Sequence, residues 1–202
     1  MKNKIIYLMG YLKLRLYKLK CKNLKIGKNV FFHPKTKLVI NDKNCLIDIG
    51  NDCLLLANNT LIVNKNSSLI LNDNVTIKEN CNFEVGKEAK LEIGKKSFFN
   101  SYCNIVSLQE IIVGDNVAFG PGVYIFDNNH IVKKDCIQNW NEFTSSSINI
   151  GSNSWIGAKC LILKNTNIAN NCVIAGMSVV NCNVEKNKIY YNRIEKKYKD
   201  ID

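Results

Sequence analysis

The sequence is poor in histidine, in proline and in long apolar runs, and each scarcity removes a class of protein. It holds 2 histidines, 2 prolines and 11 glycines in 202 residues, which excludes a collagen-like or proline-rich disordered chain. No CxxC pair and no cysteine–histidine cluster with metal-ligand spacing occurs, so no metal site is predicted. The most apolar stretch, near the N-terminus, is too short and too charged to span a bilayer.

Cysteine, by contrast, is plentiful, with 9 residues in the chain. A disulfide framework is typical of small secreted proteins, and this chain has no such pattern. Several of the cysteines recur at one position of a sequence repeat, namely Cys53, Cys81, Cys103, Cys160 and Cys172. Small packed side chains belong at that position, so we predict reduced, buried thiols.

The formal net charge is +11, and much of it lies in the two terminal segments. No nucleic-acid recognition motif accompanies the basic residues in the middle of the chain. The composition therefore predicts a solvated basic surface that attracts phosphates or anionic lipid, and no nucleic-acid partner.

Residues 1–23 form a basic N-terminal segment for which two roles stay open. The segment lacks a small-residue cleavage site, so no signal peptide is predicted. Residues 12–20 alternate like a strand, but one helical face would carry six apolar side chains: Ile5, Leu8, Met9, Leu12, Leu16 and Leu19. We favour a helical or extended segment that caps the core, and a basic amphipathic helix on a membrane surface is the alternative.

A six-residue repeat runs through most of the chain. Segments such as "IGNDCL", "IGKKSF" and "VGDNVA" begin with an aliphatic residue and recur from Ile26 to Val180. A period of six fits neither an α-helix nor a simple alternating strand. It indicates a parallel β-solenoid in which three hexads make one triangular coil and aliphatic side chains stack from coil to coil.

The solenoid is predicted for residues 24–185, with a basic tail over 186–202. Three hexads make a coil of about 18 residues, whereas the repeats in the first half lie about 20 to 22 residues apart. We therefore expect small loop insertions there. The fifth position of each hexad holds valine, serine or cysteine, and we expect these small side chains to pack at the corners.

Three longer segments resemble the hexapeptide-repeat acyltransferases. They are "IGKKSFFNSYCNIV" from Ile93, "VGDNVAFGPGVYIFDNNH" from Val113 and "IGSNSWIGAKC" from Ile150. Their order resembles the sugar O-acetyltransferase branch related to maltose acetyltransferase and polysaccharide O-acetyltransferases. The resemblance implies an all-β fold, a left-handed parallel β-helix. The left hand comes from the resemblance alone, because general crossover rules favour the right hand.

The resemblance implies an acetyl-CoA-dependent O-acetyltransferase acting on a sugar hydroxyl, such as that of a bacterial surface polysaccharide or its precursor. His130 follows Ile125 at the family's spacing, inside a polar loop predicted over 126–147 where the hexad phase stops. An alcohol is a weak nucleophile at neutral pH, and histidine is the side chain whose pKa suits a general base. We therefore predict His130 as the catalytic base, and we predict no metal.

The resemblance also assigns roles to other positions. Asn100 matches a family asparagine that contacts the acceptor, with a turn asparagine as the alternative. Asp127 would orient the imidazole or bind sugar hydroxyls, with turn capping as an equal alternative. Trp155 would lie beside the substrate groove or at a subunit contact. Acetyl-CoA would lie along four small residues: Gly157, Ala158, Ala175 and Gly176.

The resemblance further implies a homotrimer with sites between subunits. We predict a cytoplasmic protein, which the basic N-terminal segment could bring to the inner face of the membrane. Asn128 departs from the family, in which a second histidine often stands, and Met177 interrupts a Gly-Ala-Gly run. A sugar-nucleotide N-acetyltransferase and a non-catalytic scaffold stay open as alternatives. The γ-class carbonic anhydrases share the fold but need three histidines at each zinc ion, which this sequence cannot supply.

Overall fold

A repeating pattern of three short strands and tight turns follows one N-terminal helix. The structure, a computed structural model, describes residues 2–132 and 142–193. Helix α1 spans Lys2–Lys20. Parallel strands from successive coils then form three sheets, called A, B and C. This is the β-solenoid that the six-residue period predicts, with about seven coils, and its architecture matches the left-handed β-helix.

Each sheet takes one strand from every coil, and the strands are numbered in chain order. Sheet A contains β1 (Leu24–Ile26), β4 (Leu46–Ile49), β7 (Ser68–Leu71), β10 (Lys90–Ile93), β13 (Glu110–Val113), β18 (Ile148–Ile150) and β21 (Asn167–Ile168). Sheet B contains β2 (Phe31–Phe32), β5 (Leu54–Leu55), β8 (Thr76–Ile77), β11 (Phe98–Phe99), β14 (Ala118–Phe119), β19 (Trp155–Ile156), β22 (Val173–Ile174) and β24 (Ile189–Tyr190). Sheet C contains β3 (Lys37–Ile40), β6 (Thr60–Val63), β9 (Asn82–Val85), β12 (Asn104–Ser107), β15 (Tyr124–Phe126), β20 (Leu161–Leu163) and β23 (Val179–Val180).

The coils differ in length because their strands differ in length. The second coil has strands of 4, 2 and 4 residues. The coil that starts at β21 has three strands of 2 residues, and the turns within both coils have 4 residues. The expected loop insertions are therefore wrong. Strand side chains alternate with a period of two, so lengthening a strand by a pair of residues keeps the inward side chains inward.

The core consists of columns of inward side chains, one residue from each coil. In sheet B, Leu55, Ile77, Phe99 and Phe119 stack in this way and are buried. The rings of Phe99 and Phe119 lie parallel, with their centroids 4.3 Å apart. Burying one such side chain contributes about 1.5–3 kcal/mol, so these columns hold successive coils together.

Asparagine is abundant because most turns need a residue with left-handed backbone geometry at their third position. Of the 16 described non-glycine residues with positive φ, 10 are asparagines. Asparagine tolerates this geometry better than most other residues. The fourth residue of each turn is small and buried, as at Val75 and Ser97, which confirms the predicted corner packing.

The cysteines confirm the prediction of reduced, buried thiols. All five repeat-position cysteines are free and buried, and Cys136 lies outside the described residues. Burial raises the pKa of the Cys53 thiol to about 11. The thiol is therefore neutral at physiological pH and serves as a small packing group.

Helix α1 covers the first coil, whose strands have no preceding coil to pair with. Gly10 lies directly on the backbone of Phe32, where a Cβ atom would collide with the carbonyl oxygen. The Tyr17 ring meets the Phe32 ring edge-on, with centroids 6.2 Å apart. Lys13 Nζ donates to two carbonyl oxygens of the first coil, each at 2.7 Å. The expected cap is thus a helix, and it shields an otherwise open sheet edge. No helix among the described residues is long and apolar enough to cross a membrane.

Candidate functional site

A β-hairpin leaves the solenoid after β15 and returns before β18. Its strands, β16 (Asn128–His130) and β17 (Phe143–Ser145), pair antiparallel with His130 opposite Phe143. The loop predicted over 126–147 is thus partly a hairpin, and residues 133–141 of that loop lie outside the described residues. The hexad phase stops because the chain leaves the coil wall here, and His130 is carried out with it.

Asp127 anchors the base of this hairpin to the preceding corner. Its carboxylate accepts the backbone N–H groups of Leu108, Gln109 and Glu110 at 2.7–2.9 Å. The hydroxyl of Ser107 donates to the same carboxylate at 3.2 Å. Asp127 is 0% exposed, so the carboxylate is withdrawn from any molecule in the solvent. Turn capping, the alternative to sugar binding, accounts for this arrangement.

The return strand of the hairpin is anchored as well. The amide of Ser146 donates to the Asp127 carbonyl oxygen at 2.9 Å. Ser145 Oγ lies 3.0 Å from the side-chain oxygen of Gln109, and Lys164 Nζ donates to the Thr144 hydroxyl. These contacts tie β17 to the coils on both sides, so the described part of the hairpin has a set position on the solenoid.

A cleft of about 400 Å³ opens beside the first hairpin strand. It is lined by Val106, Phe126, Asn128, Asn129 and His130. Val106 and Phe126 are paired neighbours on the outer face of sheet C, so they form an apolar floor. His130 is exposed at the rim. A small acceptor lying on the floor would therefore meet the imidazole.

Asn128 adds a polar atom to this cleft that sequence reasoning did not assign to the site. Its Nδ2 is buried and has no hydrogen-bond partner within the part of the chain that the structure describes. Buried donors in folded proteins are nearly always paired, because leaving one unpaired costs about 1–3 kcal/mol. Only one feature of the sequence indicated that Asn128 belongs to the site, namely that a histidine often stands at this position in the family.

Five other predicted residues share one corner, where sheet B passes into sheet C. Asn100, Gly157 and Ala175 each come directly after a sheet B strand, and Ala158 and Gly176 follow two of them. A Cβ atom on Gly157 would lie 2.5 Å from the backbone nitrogen of Gly176. Successive coils therefore approach closely at this corner, and small residues permit that approach.

For Asn100 and for Trp155, the structure is compatible with both of the predicted roles. Asn100 Oδ1 accepts the backbone N–H of Ser101 at 2.8 Å, which fits a turn asparagine. Trp155 is 57% exposed on the outer face of sheet B, where its strand neighbours are Ala118 and Val173. Its exposure is compatible with a substrate groove and with a subunit contact.

The cleft and the corner lie at opposite edges of sheet C. The strands of this sheet begin after the corner, and His130 follows the end of β15. The three-residue strand β15 spans about 10 Å, so the imidazole does not touch the corner glycines of its own chain. The predicted site residues therefore come together in two groups. His33 belongs to neither, since it lies in the first coil and its Nδ1 accepts the Lys35 amide at 3.1 Å.

Comparison with known proteins agrees with this architecture, although no family profile matches the sequence. The galactoside O-acetyltransferase of Lactococcus lactis subsp. lactis is 29% identical over 108 residues, which are 52% of this chain and 52% of that protein. This chain thus spans about half the length of that relative.

Solved structures share the fold. A hexapeptide-repeat acetyltransferase from Vibrio cholerae, complexed with acetyl coenzyme A, is 26% identical, with 59% of this chain and 63% of that chain covered and a TM-score of 0.52. A variant of AntD, an N-acyltransferase from Bacillus cereus, is 17% identical, with 92% and 87% covered and a TM-score of 0.57. At that identity AntD supports the fold alone. The repeat, the coil and these matches confirm the predicted resemblance to the hexapeptide-repeat acetyltransferases.

Proposed function

We propose that this protein is an acyltransferase that moves an acetyl group from acetyl-CoA to a sugar hydroxyl of a bacterial surface polysaccharide or its precursor. One observation carries the proposal: an anchored hairpin holds His130 at the rim of a cleft with an apolar floor. The galactoside O-acetyltransferase relative and the neighbour bound to acetyl coenzyme A support the donor and the acceptor class.

The chemistry needs one base. The imidazole of His130 takes the proton of the sugar hydroxyl while the oxygen forms a bond to the thioester carbonyl carbon. The carbon–sulfur bond then breaks, and the departing thiolate takes the proton back from the imidazolium. The products are an acetyl ester and free CoA. No covalent acyl-protein is needed, so no nucleophilic serine or cysteine is assigned.

Two asparagines serve the acceptor in this proposal. The Asn128 amide would donate a hydrogen bond to an acceptor oxygen, which would satisfy its orphaned Nδ2 after a small side-chain movement. Asn100 would contact the acceptor at the corner, together with Trp155. Acetyl-CoA would lie along Gly157, Ala158, Ala175 and Gly176, where small side chains let it approach the backbone.

The proposal includes a homotrimer, because cleft and corner are apart within one chain. In a trimer the donor at the corner of one copy would face the His130 cleft of its neighbour. The outer face of sheet B supports such packing, since its outward side chains are mostly apolar: Phe31, Leu54, Phe98, Trp155, Val173 and Ile189. We place the protein in the cytoplasm, where acetyl-CoA is available, or at the inner face of the membrane.

The test is release of free thiol from acetyl-CoA in the presence of galactosides and other sugar acceptors. The His130→Ala variant is expected to turn over about 10²–10⁴-fold more slowly, which is the usual contribution of a general base. His33→Ala is the matched control and is expected to keep wild-type turnover. Full turnover by His130→Ala would refute the assigned base.

A second candidate is transfer to an amine, as in the N-acyltransferase AntD, whose fold this chain shares. The product distinguishes the two reactions, because an acetyl ester is hydrolysed by mild alkali whereas an acetamide survives. We expect an alkali-labile product. Failure to bind acetyl-CoA would leave the non-catalytic scaffold as the remaining interpretation.

A further inference from the structure

Six apolar side chains form a stripe on the face of α1 that points away from the solenoid. They are 53–82% exposed: Ile5, Leu8, Met9, Leu12, Leu16 and Leu19. At 3.6 residues per turn, the stripe covers about 100° of the helix surface. The opposite face, with Gly10, Leu14 and Tyr17, is the one that packs on the first coil. The helix thus has two apolar faces, and the described part of the chain covers only one.

Basic side chains flank the stripe. Lys4, Arg15 and Lys18 lie along one side and Lys20 along the other, and all four are exposed. The helix Lys2–Lys20 contains no acidic residue. An apolar face between cationic borders is typical of helices that lie in the interface of an anionic bilayer.

The charge of the whole protein is concentrated at this end. Residues 1–43, which comprise α1 and the first coil, hold 12 of the 28 lysines and arginines and 1 of the 17 acidic residues. Their local net charge is therefore +11, and the remaining 159 residues sum to zero, with 16 charges of each sign. The molecule is electrically polarised along its coil axis, with the positive pole at the helix.

A depression of about 350 Å³ lies at the end of the stripe. It is lined by Leu19, Lys20, Lys22, Asn23, Lys43 and Asn44. Three ammonium groups around one recess suit a lipid phosphate, and the adjoining Leu19, 82% exposed, suits the acyl region below that phosphate. The nearby Asp42 carboxylate is held by the Asn44 amide at 2.6 Å.

We propose that α1 docks this protein on an anionic lipid bilayer, with the stripe inserted among the lipid headgroups and the lysines in contact with lipid phosphates. This inference stands independently of the proposed reaction. A second copy fits the stripe poorly, because it would bring two +11 ends together. Nucleic acid would be attracted by the charge but would leave the six aliphatic side chains in water.

The docking is end-on, because α1 covers the first coil. His130 lies at the end of the fifth coil, four coil steps from the first coil that α1 covers. Strands of neighbouring coils are about 4.8 Å apart, so the cleft would stand about 20 Å above the first coil, and α1 adds to its height above the bilayer. A glycan that projects from the bilayer would reach this height, whereas a sugar held at the headgroups would not.

Co-sedimentation of the full-length protein with lipid vesicles tests the proposal. Binding is expected to phosphatidylcholine vesicles containing about 30% phosphatidylglycerol and not to phosphatidylcholine alone. The stripe variant L12E/L16E is expected to bind at least about tenfold more weakly, and K18Q/K20Q about ten- to thirtyfold more weakly. Tyr191→Glu changes a side chain near the other end that is more exposed (70%) than Leu12 or Leu16, and this variant is expected to bind like wild type.

Several outcomes would overturn the proposal. They are no binding to anionic vesicles, equal binding by wild type and the stripe variant, or a solution mass that only the stripe variant lowers, which would indicate a second copy. Binding of duplex DNA without binding of vesicles would also overturn it. Thermal unfolding checks that each variant folds. If L12E/L16E does not fold, it is replaced by the milder variant L12S/L16S. This variant leaves intact the face of α1, with Gly10 and Leu14, that packs on the first coil.

Discussion

At the scale of single residues, the position of His130 depends on a carboxylate that never meets solvent. Asp127 accepts three backbone N–H groups and one hydroxyl at the foot of the hairpin. A hydrogen bond to a charged group contributes about 1.5–3 kcal/mol, and buried donors that lose their acceptor carry a desolvation penalty. Asp127, just before the hairpin, therefore stabilises the fold and fixes the start of the strand that carries His130.

Asp127→Ala is expected to lower the free energy of unfolding by about 3 kcal/mol or more, because it leaves the buried Ser107 hydroxyl and three part-buried backbone N–H groups without their acceptor. Urea titration followed by circular dichroism measures this change. Asp115→Ala is the matched control, since the Asp115 carboxylate accepts the Lys95 amide at 2.7 Å on an exposed turn. A loss below about 1 kcal/mol is expected there. Equal losses in the two variants would contradict the anchoring role.

At the scale of elements, the backbones of successive coils approach each other closely at the corner between sheets B and C. Gly120 and Gly157 each lie so close to the next coil that a Cβ atom would come within 2.6 Å of its backbone. Gly176 is more open, because the nearest atom to its Cβ would be the Ala158 carbonyl oxygen at 3.2 Å. A larger side chain therefore has no room at Gly120 or Gly157, whereas Gly176 has space for a methyl group after a small shift.

Gly157→Ala is expected to destabilise the fold by about 1–3 kcal/mol, because the added methyl group forces two coils apart. Gly176→Ala is expected to cost less than about 1 kcal/mol, since a shift of a few tenths of an ångström accommodates it. Urea midpoints of the two variants give the comparison. A smaller loss for Gly157→Ala than for Gly176→Ala would show that the coil spacing is not set at this corner.

At the scale of the whole molecule, the solenoid separates three tasks along one axis. The N-terminal end carries the charge and the apolar stripe, the fifth coil carries His130, the proposed base, and the sixth and seventh coils carry the small-residue corner. The separation of base and corner across sheet C is the physical ground for expecting a neighbouring copy to complete the site.

Light scattering is expected to give a mass three times the 22.9 kDa of one chain. Trp155→Glu places a charge on the outer face of sheet B and is expected to shift the mass towards that of the monomer. Leu19→Glu changes a more exposed side chain on α1 and is expected to leave the mass unchanged. A monomeric wild-type protein with full activity would rule out a site shared between copies.

The sequence by itself determined the coil. A six-residue phase specifies which side chains face inward, where the corner residues must be small and where asparagine must accept left-handed geometry, because all of these are local properties of one repeat. The motif order also led to His130. Loop insertions were expected wrongly because a count of residues does not distinguish a longer turn from a strand lengthened by two.

Only the tertiary structure decided what depends on contacts between coils. The partners of Asp127 come from residues 107–110, and their approach is set by the stacking of one coil on the next. The pairing of β16 with β17 joins segments on either side of a long insertion. The outward face of α1 likewise emerged only when its other face was seen packed on the first coil. Local periodicity specifies a repeating unit, but long-range packing decides which side chains that unit leaves available for chemistry and for partners.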